Sequence, residues 1–156
     1  MCIASRGETV LWYKKPLPAD VRIDFEFKPV SEAGTAQLHF AAKDAGDGIS
    51  EFLLSYYNRD SEPERSFHIC ALYKSGYDDP VGIGADPMAG AGDSTWYRIC
   101  LVKRGKDVYY AVNGLEVLQF HDDGITRGDL LTGGTMGLSQ LPGTIALYKN
   151  LKVTWI

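Results

Sequence analysis

Val21-Arg22-Ile23-Asp24-Phe25-Glu26-Phe27 alternates apolar and charged side chains at every step. An extended chain then carries Val21, Ile23, Phe25 and Phe27 on one face and Arg22, Asp24 and Glu26 on the other. A helix would scatter both sets around its circumference. Outward from this strand, extended patterns recur at residues 9–14, 36–42, 52–58, 66–74, 96–103, 108–112, 115–121, 135–141 and 145–156, with Gly, Pro, Asp and Asn filling the gaps. Asn113-Gly114, between Val112 and Leu115, predicts a two-residue hairpin, because a type I′ turn needs positive φ at both central positions. No segment of helical length carries a 3.6-residue apolar stripe, and neither an internal repeat nor a linker divides the chain. Many short strands in one domain spanning 1–156 predict an all-β fold, a β-sandwich of two antiparallel sheets. Each sheet covers the apolar side of the other, so the polar rows face outward, onto a surface that suits an extended sugar chain.

Charge and composition narrow the partners. The 156 residues include 16 basic and 20 acidic side chains, a net charge of −4, and no basic stripe, which argues against nucleic acid. Cys2, Cys70 and Cys100 are odd in number and lack metal-ligand spacing, and they are expected to be buried thiols. The start, Met1-Cys2-Ile3-Ala4-Ser5, has no basic region followed by a long apolar core, and no stretch is long enough to span a membrane. A cytoplasmic location is the expectation.

The stretch Tyr56-Tyr57-Asn58-Arg59-Asp60-Ser61-Glu62-Pro63-Glu64-Arg65-Ser66-Phe67-His68-Ile69-Cys70 concentrates polar and ionisable side chains between two apolar runs. Pro63 with Asp60 and Ser61 would suffice for a turn, so the additional ionisable groups mark either a functional loop or a solvated tip. Strand parity adds candidates. With Phe40 inward, Gln37 and His39 face outward, and with Phe67, Ile69 and Ala71 inward, Ser66, His68 and Cys70 join them. Both histidines are then expected on one face, converging on the loop, with Arg22, Asp24 and Glu26 adding charge to the same face.

Five stretches carry a family resemblance: Ile23-Asp24-Phe25-Glu26-Phe27-Lys28-Pro29, His39-Phe40-Ala41-Ala42-Lys43, the run from Tyr57 to His68, Gly84-Ala85-Asp86-Pro87, and Asn150-Leu151-Lys152-Val153. The chain resembles the YesU-like family of uncharacterised bacterial proteins. That resemblance implies the concanavalin A-like jelly-roll fold shared by many lectins and glycan-cleaving enzymes, and an association with bacterial breakdown of plant cell-wall pectins. It implies a fold and a neighbourhood rather than a reaction. Family members run longer at the amino end, whereas this chain opens almost directly into Thr9-Val10-Leu11-Trp12-Tyr13. On that comparison an edge strand is expected to be missing, with a homo-oligomer as one way to cover the open edge.

The residue types fit an acidic oligosaccharide or polysaccharide as partner. Arg59 and Arg65 can pair bidentately with a sugar carboxylate, while Gln37, Asn58 and Glu26 supply further polar contacts in a groove lined by His39, Asn58, Arg65 and His68. In an enzyme, His39, His68 or Tyr57 would move the proton beside the carboxylate. Gln37-Leu38-His39 also echoes the glutamine–histidine spacing of alginate-type polysaccharide lyases. Glycoside hydrolysis needs two carboxylates across the bond, and the close pair here, Asp24 with Glu26, reads as salt-bridged to Arg22 or Lys28. Recognition domain, enzyme and subunit-interaction protein stay open as classes. No cofactor or metal is expected: Asp44-Ala45-Gly46-Asp47-Gly48 reads as a turn rather than a calcium loop, as does Asp122-Asp123-Gly124. No Gly-x-Ser-x-Gly elbow marks a serine nucleophile. Trp12, Trp96 and Trp155 have apolar neighbours and are expected in the core.

Overall fold

A computed structural model of the chain describes residues 1–44 and 48–156. The Asp44–Gly48 turn expectation therefore falls largely outside the described residues. The back sheet has the order β1 (Cys2–Ala4), β12 (Ile145–Trp155), β3 (Val21–Pro29), β8 (Tyr97–Arg104), β9 (Asp107–Val112), β10 (Leu115–His121). The front sheet runs β2 (Thr9–Trp12), β11 (Thr135–Gln140), β4 (Thr35–Asp44), β5 (Ile49–Asn58), β6 (Ile69–Lys74), β7 (Gly82–Ala85). Every pairing is antiparallel. The described residues also include a single-turn helix, α1 (Glu64–Phe67), and a 3₁₀ turn at Ala91–Asp93.

The alternation in β3 drives the sandwich. Val21, Ile23, Phe25 and Phe27 are all buried between the sheets, where Phe27 meets Tyr56 of β5 edge to face at 5.2 Å. Phe40 and Phe52 stack at 5.1 Å on the front-sheet side. Asn113 and Gly114 have φ of 52° and 81°, the two positive values that the hairpin demands, and Val112 pairs with Leu115 across it.

Two strands escaped the sequence reading. β1 is only three residues long, yet it pairs with β12 and edges the back sheet. β7 reads Gly-Ile-Gly-Ala, a pattern that looks like loop. Its Gly84 is held close to β10, where a Cβ would stand 2.0 Å from the Val117 carbonyl oxygen, so glycine lets the edges of the two sheets meet.

Residues 66–68 form helix and cap rather than strand. Phe67 is 73% exposed and His68 adopts the left-handed region at φ 48° as the helix cap, so β6 starts at Ile69 with its parity reversed: Cys70 and Leu72 face the core. Of the three thiols, Cys70 is buried, Cys100 partly so and Cys2 exposed. Burial, and then the nearby Asp86 carboxylate, push the Cys70 thiol up to about 12.

After β10, Asp123 organises a turn, accepting from the amides of Ile125 and Thr126 at 2.8 Å each and from the Thr126 hydroxyl. That hydroxyl first, then the two amides, hold the carboxyl at about 2. A depressed folded-state value gives a contribution present above the unfolded value of about 4 and lost as pH falls towards the folded one. Asp123→Asn is expected to flatten this acid limb, followed by urea unfolding from about pH 5 down to about pH 2. An acid limb identical to that of the parent protein would exclude the turn as its source.

Candidate functional site

Register fixes which side chains the front sheet presents. Trp12, Gly137, His39, Leu53 and Tyr73 lie in one outward row across β2, β11, β4, β5 and β6, and Val10, Ser139, Gln37, Ser55, Ala71 and Ile83 form the next. His39 is held at both ring nitrogens: Nδ1 lies 2.8 Å from Glu51 Oε2 and Nε2 lies 2.9 Å from Ser139 Oγ. A carboxylate only accepts, so Nδ1 donates, and in the neutral ring Nε2 accepts the Ser139 hydroxyl. Trp12 packs beside His39 with ring centroids 5.2 Å apart, in space that any side chain at Gly137 would fill. The order Ser-His-Glu is that of an acyl-transfer relay, but Ser139 is buried and lines none of the three recesses described below. The relay braces β11, β4 and β5.

At one end of this face the chain from Arg59 to His68 separates two recesses. The loop recess, about 450 Å³, is lined by Glu32, Tyr57, Arg59, Arg65, His68 and the Gly90–Gly92 backbone. Arg59 donates to Asp86 Oδ2 at 2.7 Å and to the Met88 carbonyl at 2.8 Å, with its guanidinium 4.4 Å from the Tyr57 ring centroid. Burial raises the Asp86 carboxyl above the usual range even though Arg59 pulls it down. Burial likewise raises the Tyr57 phenol, Arg59 acting against it. Arg65 donates through Nε and Nη2 to Glu62 Oε1 at 3.0 and 2.5 Å, an exposed pair that solvent screens and weakens. The His68 imidazole has no hydrogen bond among the described residues.

The front recess, about 350 Å³, is lined by Thr35, Gln37, Ser55, Asn58, Glu64 and Tyr73, among others. Asn58 Oδ1 accepts from the Asp60 and Ser61 amides at 3.0 Å and from the Thr35 hydroxyl at 3.3 Å, so this side chain shapes the loop.

On the outer face of the back sheet a third recess, about 490 Å³, holds Arg22, Asp24, Glu26 and Arg98. Arg22 grips Asp24 bidentately at 2.7 and 2.8 Å. Burial raises the Asp24 carboxyl, but the hydrogen bonds from Arg22 and Cys100 and the Arg22 and Lys152 charges outweigh it and leave the group low. Glu26 is engaged by Asn150 and by Lys149.

The sequence-predicted residues thus divide into three groups. Tyr57, Arg59, Arg65 and His68 share the loop recess; Gln37, His39 and Asn58 belong to the front sheet; Glu26 faces away on the other sheet. The expectation that His39 and His68 share a strand face fails, because α1 takes His68 out of the strand. Arg22, Asp24 and Glu26 do not join His39 either, since β3 and β4 lie in different sheets. Trp12 and Trp155 lie outside the buried core, and Trp96 packs under Lys149 at 4.1 Å. Glu51, Ser55, Tyr73 and Ser139 went unnoticed, and Glu64 was read only as one of the charges of the loop. The outward parity of Ser139, between Met136 and Leu138 facing inward and Gln140, was the one readable hint.

The same architecture occurs in known proteins. A protein of unknown function with a galectin-like fold from Bacillus subtilis superposes with TM-score 0.90 at 29% identity, over 98% of this chain and 80% of that one. The carbohydrate-binding module CBM66 from Bacillus subtilis aligns at TM-score 0.70 and 13% identity, covering 97% of this chain and 84% of the module. A tetrameric galectin from the sponge Cinachyrella aligns at 0.61 and 12%, over 95% and 99% of the two chains. These distant likenesses concern the fold, a jelly-roll sandwich of the concanavalin A-like kind. In sequence the chain is 30% identical to the uncharacterized protein YesU of Bacillus subtilis, over 97% of its own length and 79% of that protein's. With residues 44–153 matching the profile described as a domain of unknown function, DUF1961, the chain belongs to that family.

Proposed function

We propose that this chain is a carbohydrate-recognition domain that binds an acidic plant cell-wall oligosaccharide of the pectin type, with a uronate carboxylate held in the loop recess. The observation that carries the reading is the gathering of Arg59, Arg65 and His68 around Tyr57 in one open recess, opposed by Glu32. Arg59 is fully engaged and acts as the rigid wall. Arg65, bound to Glu62 through Nε and Nη2, keeps Nη1 for a ligand oxygen and can exchange its weak exposed bridge for a carboxylate. The Tyr57 ring supplies an apolar floor and His68 a further polar group. The fold is one shared with a carbohydrate-binding module and a galectin, which agrees with sugar recognition without naming the sugar.

Arg65→Lys tests it. Lysine keeps the charge but not the fork, so affinity for an oligogalacturonide is expected to drop about tenfold while stability changes by less than about 1 kcal/mol. Calorimetric titration of both proteins with oligogalacturonides and with a neutral oligosaccharide provides the measurement. Equal affinities of parent and variant for the acidic ligand would sink the assignment. Analysis of the ligand after prolonged incubation separates recognition, which leaves it intact, from lyase cleavage, which produces an ultraviolet-absorbing unsaturated uronate.

A further inference from the structure

The front recess contains polar groups that the protein itself leaves under-used. Ser55, 2% exposed on β5, points its hydroxyl to the outward face and has no hydrogen-bond partner among the described residues. Buried hydroxyls are normally satisfied, and one that is not calls for a reason. Among the described residues Glu64, buried at the start of α1, receives only the Tyr73 hydroxyl, at a long 3.4 Å. Burial, followed by the Glu64 charge, raises the Tyr73 phenol, which keeps that proton in place. Asn58 must turn Oδ1 towards the Asp60 and Ser61 amides, so its Nδ2 donors face the other way. Gln37 meets Ser139 Oγ at 3.4 Å with one end of its amide, leaving the other end without a partner among the described residues. All four side chains line the same recess.

We infer that this recess is a second subsite, one that takes the vicinal hydroxyls of a neutral sugar; the inference rests on the sugar-binding reading above and extends it across the loop. A carboxylate acceptor, the Asn58 amide donors and the free end of the Gln37 amide line the recess with a serine hydroxyl that can act either way. A vicinal diol complements that set, because each of its hydroxyls donates once and accepts as well. An acidic sugar does not fit here: its carboxylate would meet Glu62 and Glu64, both of which line the recess. The chain from Arg59 to His68 then stands between an acid-binding recess and a neutral one, and the ligand class becomes a mixed oligosaccharide carrying a uronate next to a neutral unit.

Ser55→Ala distinguishes a ligand contact from a structural one. Removing a hydroxyl with no protein partner is expected to leave the unfolding midpoint unchanged or slightly raised, while affinity for a neutral sugar falls about tenfold. Glu64→Gln is expected to weaken neutral-sugar binding to a similar degree. The probes are methyl glycosides of galactose, glucose, mannose and rhamnose, with methyl galacturonoside as the acidic counterpart, titrated into isotope-labelled protein and followed by amide shifts around Ser55 and around His68. Neutral glycosides that perturb Ser55 and are lost in both variants support the subsite. Neutral binding that survives both substitutions, or its complete absence while the uronate still perturbs His68, overturns the subsite and leaves the acidic reading standing. Neutral binding at Ser55 without any uronate response supports the subsite and overturns the acidic reading. No response to any probe overturns both.

Discussion

Asp122→Ala is expected to destabilise the fold by about 3–5 kcal/mol, enough to lower the melting temperature by roughly 10 °C or more. The reason is the Lys74–Asp122 pair, 2.8 Å apart with side chains only 3% and 4% exposed. Lys74 also donates to the Gly128 carbonyl, and its ammonium lies 5.9 Å from the Phe52 ring centroid. Lys103 is buried in the same region: burial lowers its ammonium, the Asp20 and Asp122 charges oppose that, and Lys74 adds to it. Taking away Asp122 leaves buried positive charge facing positive charge. Because a lysine with a lowered folded-state value makes stability rise with pH between that value and the unfolded one, the deficit of the variant is expected to shrink at alkaline pH. Replacing both partners with leucine or methionine is expected to recover most of the loss. Urea unfolding of the single and double variants measures both effects; a single variant within about 1 kcal/mol of the parent would mean that Lys74 finds solvent or another partner.

Asp86→Ala should match that loss, about 3–5 kcal/mol, and should also abolish the uronate binding proposed above. Asp86 is fully buried beside Arg59, and its other oxygen accepts the Met88 amide at 2.9 Å. One carboxylate therefore ties the end of β5 to the segment after β7, the two walls of the loop recess. Arg59→Lys is the milder counterpart, keeping a charge near Asp86 while losing the fork to the Met88 carbonyl and the planar contact with Tyr57. It should retain most of the stability and lose most of the affinity. Denaturant titration beside calorimetry separates the two, and an Asp86→Ala protein that still binds oligogalacturonide normally would detach the recess from recognition.

Much of this fold could be read from the chain because strand alternation and hairpin chemistry are local. β3 and the Asn113-Gly114 turn needed no partner to be recognised. The site was harder to read because it depends on phase. A one-residue change in where β6 begins exchanges its faces, and the short helix at Glu64–Phe67 made that change by placing Phe67 outside and Cys70 inside. Neither could be seen in a run of apolar and aromatic residues. Assignment of strands to sheets was equally hidden, so Glu26 and His39 looked like neighbours although a whole core separates them. Lys74 with Asp122 and Arg59 with Asp86 are 48 and 27 residues apart, and nothing local announces a buried pairing at such separations.

β1 and β2 lie at the outer edges of different sheets, each covering the backbone of the strand beside it, β12 and β11. At the opposite side, Gly84 lets β7 approach β10, so those edges shield one another. The first dozen residues are thus the guard against unwanted strand addition on the open side. An expression tag that displaces them, or a protease that trims them, would bare two ladders of backbone donors and acceptors at once, and self-association through those ladders would follow without any change in the residues of the loop and front recesses.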